Sequence, residues 1–185
     1  MVEVLDKPLP KPSEESYVEA RLLETLVEAR LALRFLREGI ARNAAGKAFQ
    51  AWKALLAALP RLELESLKAL AKTEEEMAQN SNIRPDHKNE NPLKHVGGYR
   101  TGLAFATSAA LDLHDYQHHG PDPDTALSKY ATREEAAVDI VRLAAEVAKR
   151  VETLKSRVKW NDELEKAVEE VKKALPKHRT PALHK

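Results

Sequence analysis

A chain of 185 residues with 43% hydrophobic, 32% charged and only 5% aromatic residues is long enough to bury a core of its own and too poor in strand-forming side chains to favour a sheet. The formal charge of +1 offers no bulk field for nucleic acid or an anionic membrane. With no cysteine, disulfides, thiolate catalysis and cysteine-ligated zinc are excluded. No apolar run approaches the roughly 20 residues of a membrane span, and the N-terminus lacks a signal peptide's charged-then-apolar order. A cytoplasmic protein without membrane contact is therefore expected, and heavy charge without cysteine also suits a thermophile.

Residues 1–12 read as an extended lead with Pro8, Pro10 and Pro12. Ser13 then offers a helix N-cap, with Glu14 and Glu15 in the first turn. The recurrence of Val18, Leu22, Leu26, Ala29, Leu33, Leu36 and Ile40 at three- and four-residue steps predicts one long helix stopping near Gly39. Asn43 is placed to cap a second helix that turns Ala45, Ala48, Phe49, Trp52, Leu55, Leu56 and Leu59 inward, its small residues admitting a close neighbour. Pro60 ends that helix or opens a third, over about Leu62–Met77. Asn80–Gly98 is polar and broken by proline and paired glycines, which predicts a long loop.

A fourth helix follows over about Tyr99–Gln117, with Leu103, Ala106, Ala110 and Leu113 as its buried stripe. The Gly120–Asp124 turn breaks it, and Asp124 can cap a short helix through Tyr130. Thr132 and Glu135 form a capping-box pattern ahead of the strongest helix, whose inward positions are Ala137, Ile140, Ala144, Val147, Val151, Leu154 and Val158. A last helix near Asp162–Leu175 presents Leu164, Val168, Val171 and Leu175 before Pro176. The pattern predicts an all-α antiparallel bundle of five to six helices: one domain over 13–176, with a basic tail at 177–185. Even stripes on the first helix and on the helix after Thr132 point to self-association.

Leu111–Tyr130, LDLHDYQHHGPDPDTALSKY, departs from the leucine–alanine–charge pattern and is where chemistry would sit. Leu111 and Leu113 belong to packing. At about 100° per residue, Asp112, Asp115 and His119 gather on the face away from the stripe, while His114 and His118 follow its edge. Two groupings suit a divalent metal: Asp112 with Asp115 and His119, or the His114–His118 pair, either completed by Asp122 or Asp124. The plainer reading gives these residues a solvated face, helix-end histidines and ordinary turn roles. Tyr116 and Tyr130 flank the turn and can bond across it. His114, Asp115, Tyr116, His118, His119, Asp122, Asp124 and Arg100 are the candidate ligand-binding residues. No cofactor is called for, a divalent metal being the lesser alternative.

Arg84, His87, Lys88, Lys94, His95 and Arg100 surround Gly97 and Gly98 at a helix start, a setting that suits an anion. The phosphate-loop pattern fails there, because Leu103 stands where lysine is required. A solvated loop is the simpler reading. In NAAGKAF, Lys47 follows Gly46, but Ala41 and Ala48 break the same pattern. Ser108 lies six residues before His114 on one helix and makes no nucleophile–base pair. The basic positions from Lys172 to Lys185 lack interleaved aromatics, so they give little ground for nucleic-acid binding.

RNAAGKAFQAWKALLAAL at Arg42–Leu59 and ALDLHDYQHHGPDPDTALSKYATREEAAVDI at Ala110–Ile140 resemble the archaeal paREP family of repeat-encoded proteins. The resemblance covers roughly a quarter of the chain and implies a HEPN-like dimerising helical bundle. That superfamily includes ribonuclease toxins and helical partners of nucleotidyltransferases, so a fold follows from the resemblance and a reaction does not. The ribonuclease signature, an arginine followed after four to six residues by a histidine, is met literally only by Arg179 and His184, in the proline-containing tail. The expected function is thus a non-catalytic homodimeric module that binds a nucleotide or a protein partner. The alternative is a nuclease or metal-assisted hydrolase working through the His114–Asp124 cluster.

Overall fold

A computed structural model describes residues 8–12, 16–70 and 100–176, with side chains described at 8–12, 16–64 and 103–176. Among these residues the chain forms five α-helices, a single 3₁₀ turn and no strand: α1 Ser16–Arg37, α2 Ala41–Leu70, α3 Arg100–His119, α4 Arg133–Thr153, the 3₁₀ turn Lys155–Arg157, and α5 Asp162–Ala174. The all-α bundle predicted from periodicity is what forms. Helix α1 runs along α2, α2 also packs on α3 and α4, and α5 packs on α1 and α4. The cap expected at Ser13, the loop at 80–98 and the tail at 177–185 lie outside the described residues.

The first helix buries Val18, Leu22, Leu26, Ala29 and Leu33 as expected. It stops at Gly39, whose N–H donates to the Leu36 carbonyl at 3.1 Å while the Ile40 N–H donates to Phe35 at 2.9 Å. These two bonds close carbonyls that a helix end would otherwise leave open. Ile40 is past that stop and 44% exposed, so the stripe ends before it. The Ile40 carbonyl in turn accepts from the Ala44 N–H at 3.0 Å. Helix α2 therefore starts two residues before Asn43, which lies in its first turn and does not cap it.

Pro60 neither ends α2 nor opens a new helix, because α2 continues through it to Leu70. Proline deprives the Leu56 carbonyl of its helical donor and costs roughly 3 kcal/mol in a helix interior. Burial of Leu55, Ala58 and Leu59 just before it offsets that cost through apolar area removed from water. Beyond the proline, Arg157 pairs with Glu63 at 2.6 Å. The centre of the core is Trp52, 1% exposed, with Leu22, Leu26, Leu113, Ile140 and Val147 also fully buried.

The capping box before α4 is present in full: Thr132 Oγ1 accepts from the Glu135 N–H, and the Glu135 carboxylate accepts from the Thr132 N–H. Ala136, Ile140, Ala144, Val147 and Val151 are buried. Ala136, not Ala137, opens the stripe. The helix closes at Thr153, where the Leu154 N–H turns to the Val151 carbonyl and the backbone tightens into the 3₁₀ turn. Val158 lies past the helix in extended backbone (φ −132°) but still packs against the core. Asn161 then caps α5, its side chain accepting from the Leu164 N–H at 2.9 Å. Both even stripes are consumed inside the chain's own core. No helix among the described residues is long and apolar enough to cross a membrane.

Candidate functional site at the corner between α3 and α4

Residues 120–132 form a corner built on one carboxylate. The short helix expected through Tyr130 does not form. Asp122 takes its place as organiser, its Oδ2 accepting from the Leu127 N–H at 2.7 Å and the Ser128 N–H at 3.3 Å, its Oδ1 from Asp124 at 3.2 Å. A carboxylate saturated by backbone donors outcompetes the weak helix nucleus that four or five residues could form. Asp124 is thus a donor within the turn and not a helix cap. The Asp122 N–H also reaches the Tyr130 carbonyl at 2.9 Å, closing the loop across its base. Thr125 sits at φ 52°, a left-handed conformation that costs a β-branched residue roughly 1–2 kcal/mol, held by its N–H bond to the Asp122 carbonyl at 3.0 Å.

The same bonds hold the Asp122 carboxyl below its ordinary range, the Leu127 N–H being the largest cause. Protonation in the folded state is therefore harder than in the unfolded chain. The stabilisation is complete above the ordinary value of 3.8 and is lost as pH falls through the lower folded value. In Asp122→Ala we expect the Leu127 and Ser128 amides to lose hydrogen-exchange protection while the α4 amides keep theirs. Unchanged protection at both positions would refute the role assigned to Asp122.

Around the turn, most polar residues have structural work. Asp112, one of the three expected metal ligands, pairs with Lys129 at 2.7 Å, tying α3 to the corner. Asp115 is exposed and adds to the pull that raises the Lys129 pKa, the hydrogen bond that Lys129 donates to Asp112 being the largest cause. His119 is exposed in the last turn of α3. Among the described residues no three His, Asp or Glu side chains stand together in a way that could hold a metal ion. Tyr116 is 1% exposed and meets Tyr130 edge to face at 5.7 Å. Tyr130 donates to Asp139 Oδ2 at 3.0 Å. Burial, with the Asp139 charge behind it, drives the Tyr130 pKa far up, so this phenol stays protonated and serves as a donor.

Sequence reasoning missed two supports of the corner. Arg42, in the first turn of α2, donates through Nε to the Gln117 carbonyl at 2.9 Å and through Nη2 to the His118 carbonyl. It satisfies carbonyls at the end of α3 that have no helical partner. Gly46, one turn further along α2, lies so close to α3 that an added Cβ would stand 2.6 Å from Gln117 Cδ. Both residues belong to the Arg42–Leu59 block, so that block and the histidine-rich one face each other across a single helix contact. Gly120 ends α3 at φ 76° with Arg42 Cδ 3.6 Å from where a Cβ would sit. Lys47 pairs with the buried Glu28 at 3.0 Å, between α1 and α2.

The histidines of this segment make ring contacts. His114 stacks on Phe49 at 4.3 Å and 25° and receives His118 edge-on at 4.8 Å. Its Nδ1 is buried with no hydrogen-bond partner among the described residues. His118 is exposed, its ring centroid 6.5 Å from that of His119. Leu111, expected to pack, is 53% exposed, since the Ala110 and Leu113 positions carry the buried stripe. Arg100 opens α3, but its side chain lies outside the described residues, as do Arg84, His87, Lys88, Lys94, His95, Arg179 and His184.

Fold and corner together define an all-helical bundle whose most distinctive segment is a locked turn between two core helices. The model of the archaeal PaREP1/PaREP8 family matches residues 20–141, which takes in most of α1, all of α2 and α3, the corner and the start of α4, and the chain belongs to that family. No curated protein and no solved structure matches it.

Proposed function

We propose that the protein is a non-catalytic helical module that acts as a homodimer and binds a protein partner or a nucleotide. One observation carries this reading: key polar residues of the corner are committed to its architecture. Asp122 holds three backbone amides, Asp112 holds Lys129, and Tyr130 holds Asp139. Side chains already saturated by the fold are poor acids, bases and metal ligands, because recruiting them would break the turn that positions them. The bundle is in keeping with a HEPN-like arrangement, in which helical partners act by association.

A second reading, a nuclease or metal-assisted hydrolase centred on residues 114–124, draws on the Nδ1 of His114, buried without a hydrogen-bond partner among the described residues. The two separate cleanly. Single-stranded RNA and DNA incubated with the protein and Mg²⁺, Mn²⁺ or Zn²⁺ are expected to stay intact, with His114→Ala indistinguishable from wild type. Cleavage by wild type that His114→Ala abolishes, at unchanged helix content, would replace the module reading with the hydrolase.

A further inference from the structure

Phasing hides large side chains at the bundle core, yet Phe105 on α3 is 73% exposed and Val138 on α4 48% exposed. Phe105 forms one wall of a hollow of about 420 Å³ between α3 and α4, with Ala106, Ala109, Ala145 and Leu143 also in its lining. Its rim is charged: Asp139, Arg142, Glu146 and Lys149 follow one another along α4. Knob and hollow thus occupy the same face. That is what an isologous contact needs, since each patch must supply both halves of every pair.

We propose that this face docks a second copy of the chain, with the two α4 helices antiparallel and the two-fold axis level with residue 144. The inference deepens the homodimer reading by giving it a surface and a register. The charge order selects that register. Asp139 and Lys149 lie five residues to either side of residue 144, and Arg142 and Glu146 lie two to either side. An antiparallel copy therefore sets each acid against a base, whereas a parallel, in-register copy would set like against like. The groups have capacity for a second partner: Asp139 accepts from Tyr130 on Oδ2 and from Arg142 on Oδ1, and each carboxylate oxygen can accept once more. Lys149 has no ion pair among the described residues, Glu146 contacts Arg150 through Oε1 alone, and Arg142 uses a single Nη1 contact to Asp139. A foreign helix would need a charge order of its own to fit, while this chain carries the complement already. Apolar burial of Phe105 in the partner's alanine-walled hollow supplies affinity, and the rim supplies orientation.

The absence of cysteine makes the test clean. Wild type at micromolar concentration is expected to show a dimeric mass by light scattering, and Phe105→Glu a monomeric mass with unchanged helix content. Lys149→Glu, which sets a carboxylate opposite Asp139 of the other copy and disturbs no ion pair within the described residues, should raise the dimer dissociation constant about tenfold or more. Ala145→Cys, beside the axis, should oxidise to a covalent dimer, while Lys166→Cys on α5 should not. A monomeric wild type would overturn both this inference and the homodimer reading. A dimeric wild type that Phe105→Glu and Lys149→Glu leave intact, with no Ala145→Cys cross-link, would overturn this face and leave the homodimer reading standing.

Discussion

Trp52→Ala is expected to remove about 3–5 kcal/mol of stability, a large part of the roughly 5–15 kcal/mol that holds a domain folded. Trp52 is 1% exposed on α2, in the cluster that α1, α3 and α4 close around. Its Nε1–H donates to Thr107 Oγ1 at 3.1 Å, and the Arg150 guanidinium lies 5.7 Å from its ring centroid. Alanine would forfeit the ring's contacts to helices on either side and leave a cavity that rigid neighbours cannot fill. Trp52→Phe keeps most of the apolar contact and loses one hydrogen bond, so about 1–2 kcal/mol is expected. Thr107 is not orphaned by either change, since its hydroxyl donates to the Leu103 carbonyl at 2.8 Å. Urea unfolding followed by circular dichroism measures both. A Trp52→Ala midpoint close to wild type would mean that the α2–α3 contact is not the centre of the core.

Helix existence was legible because burial imposes a period of 3.6 on apolar residues, and the Thr132–Glu135 box announced its helix through local hydrogen bonding. Continuity through Pro60 was not legible. The local penalty says stop, and only tertiary burial of Leu55, Ala58 and Leu59 overrides it. The corner failed for a related reason. Asp122 is one of four aspartates in the segment, and nothing local says which will collect the backbone amides. Phe105 was open to detection: it falls outside the Leu103–Ala106–Ala110–Leu113 stripe, and a large aromatic on the outer face of a helix is a signal by itself. The Asp112–Asp115–His119 set showed the limit of phasing. Shared azimuth on a helix says nothing about a lysine arriving from a turn, and Lys129 takes Asp112 at 2.7 Å.

Tyr116 decides whether the histidine-rich segment is chiefly architecture. It sits in the middle of that segment, 1% exposed, packed edge to face on Tyr130 at 5.7 Å and 88°. Burial raises its pKa, so the phenol is neutral at any working pH and contributes as an apolar body. Tyr116→Ala should therefore cost about 3–5 kcal/mol, comparable with Trp52→Ala. Tyr116→Phe should stay within about 1 kcal/mol, because no hydrogen bond to the hydroxyl forms among the described residues. A binding or catalytic tyrosine would behave the other way round. Its phenylalanine variant would keep stability and lose function, and its alanine variant would tolerate truncation at a solvent-facing pocket wall. Chemical denaturation of the two variants, beside nucleotide binding measured on the same preparations, separates the cases. A stable Tyr116→Ala protein that has lost a nucleotide-dependent rise in melting temperature would make the corner a ligand site. A cooperative loss of stability confined to Tyr116→Ala would mean that α3, α4 and the turn between them are one packing unit, specified by Tyr116 and Tyr130 together.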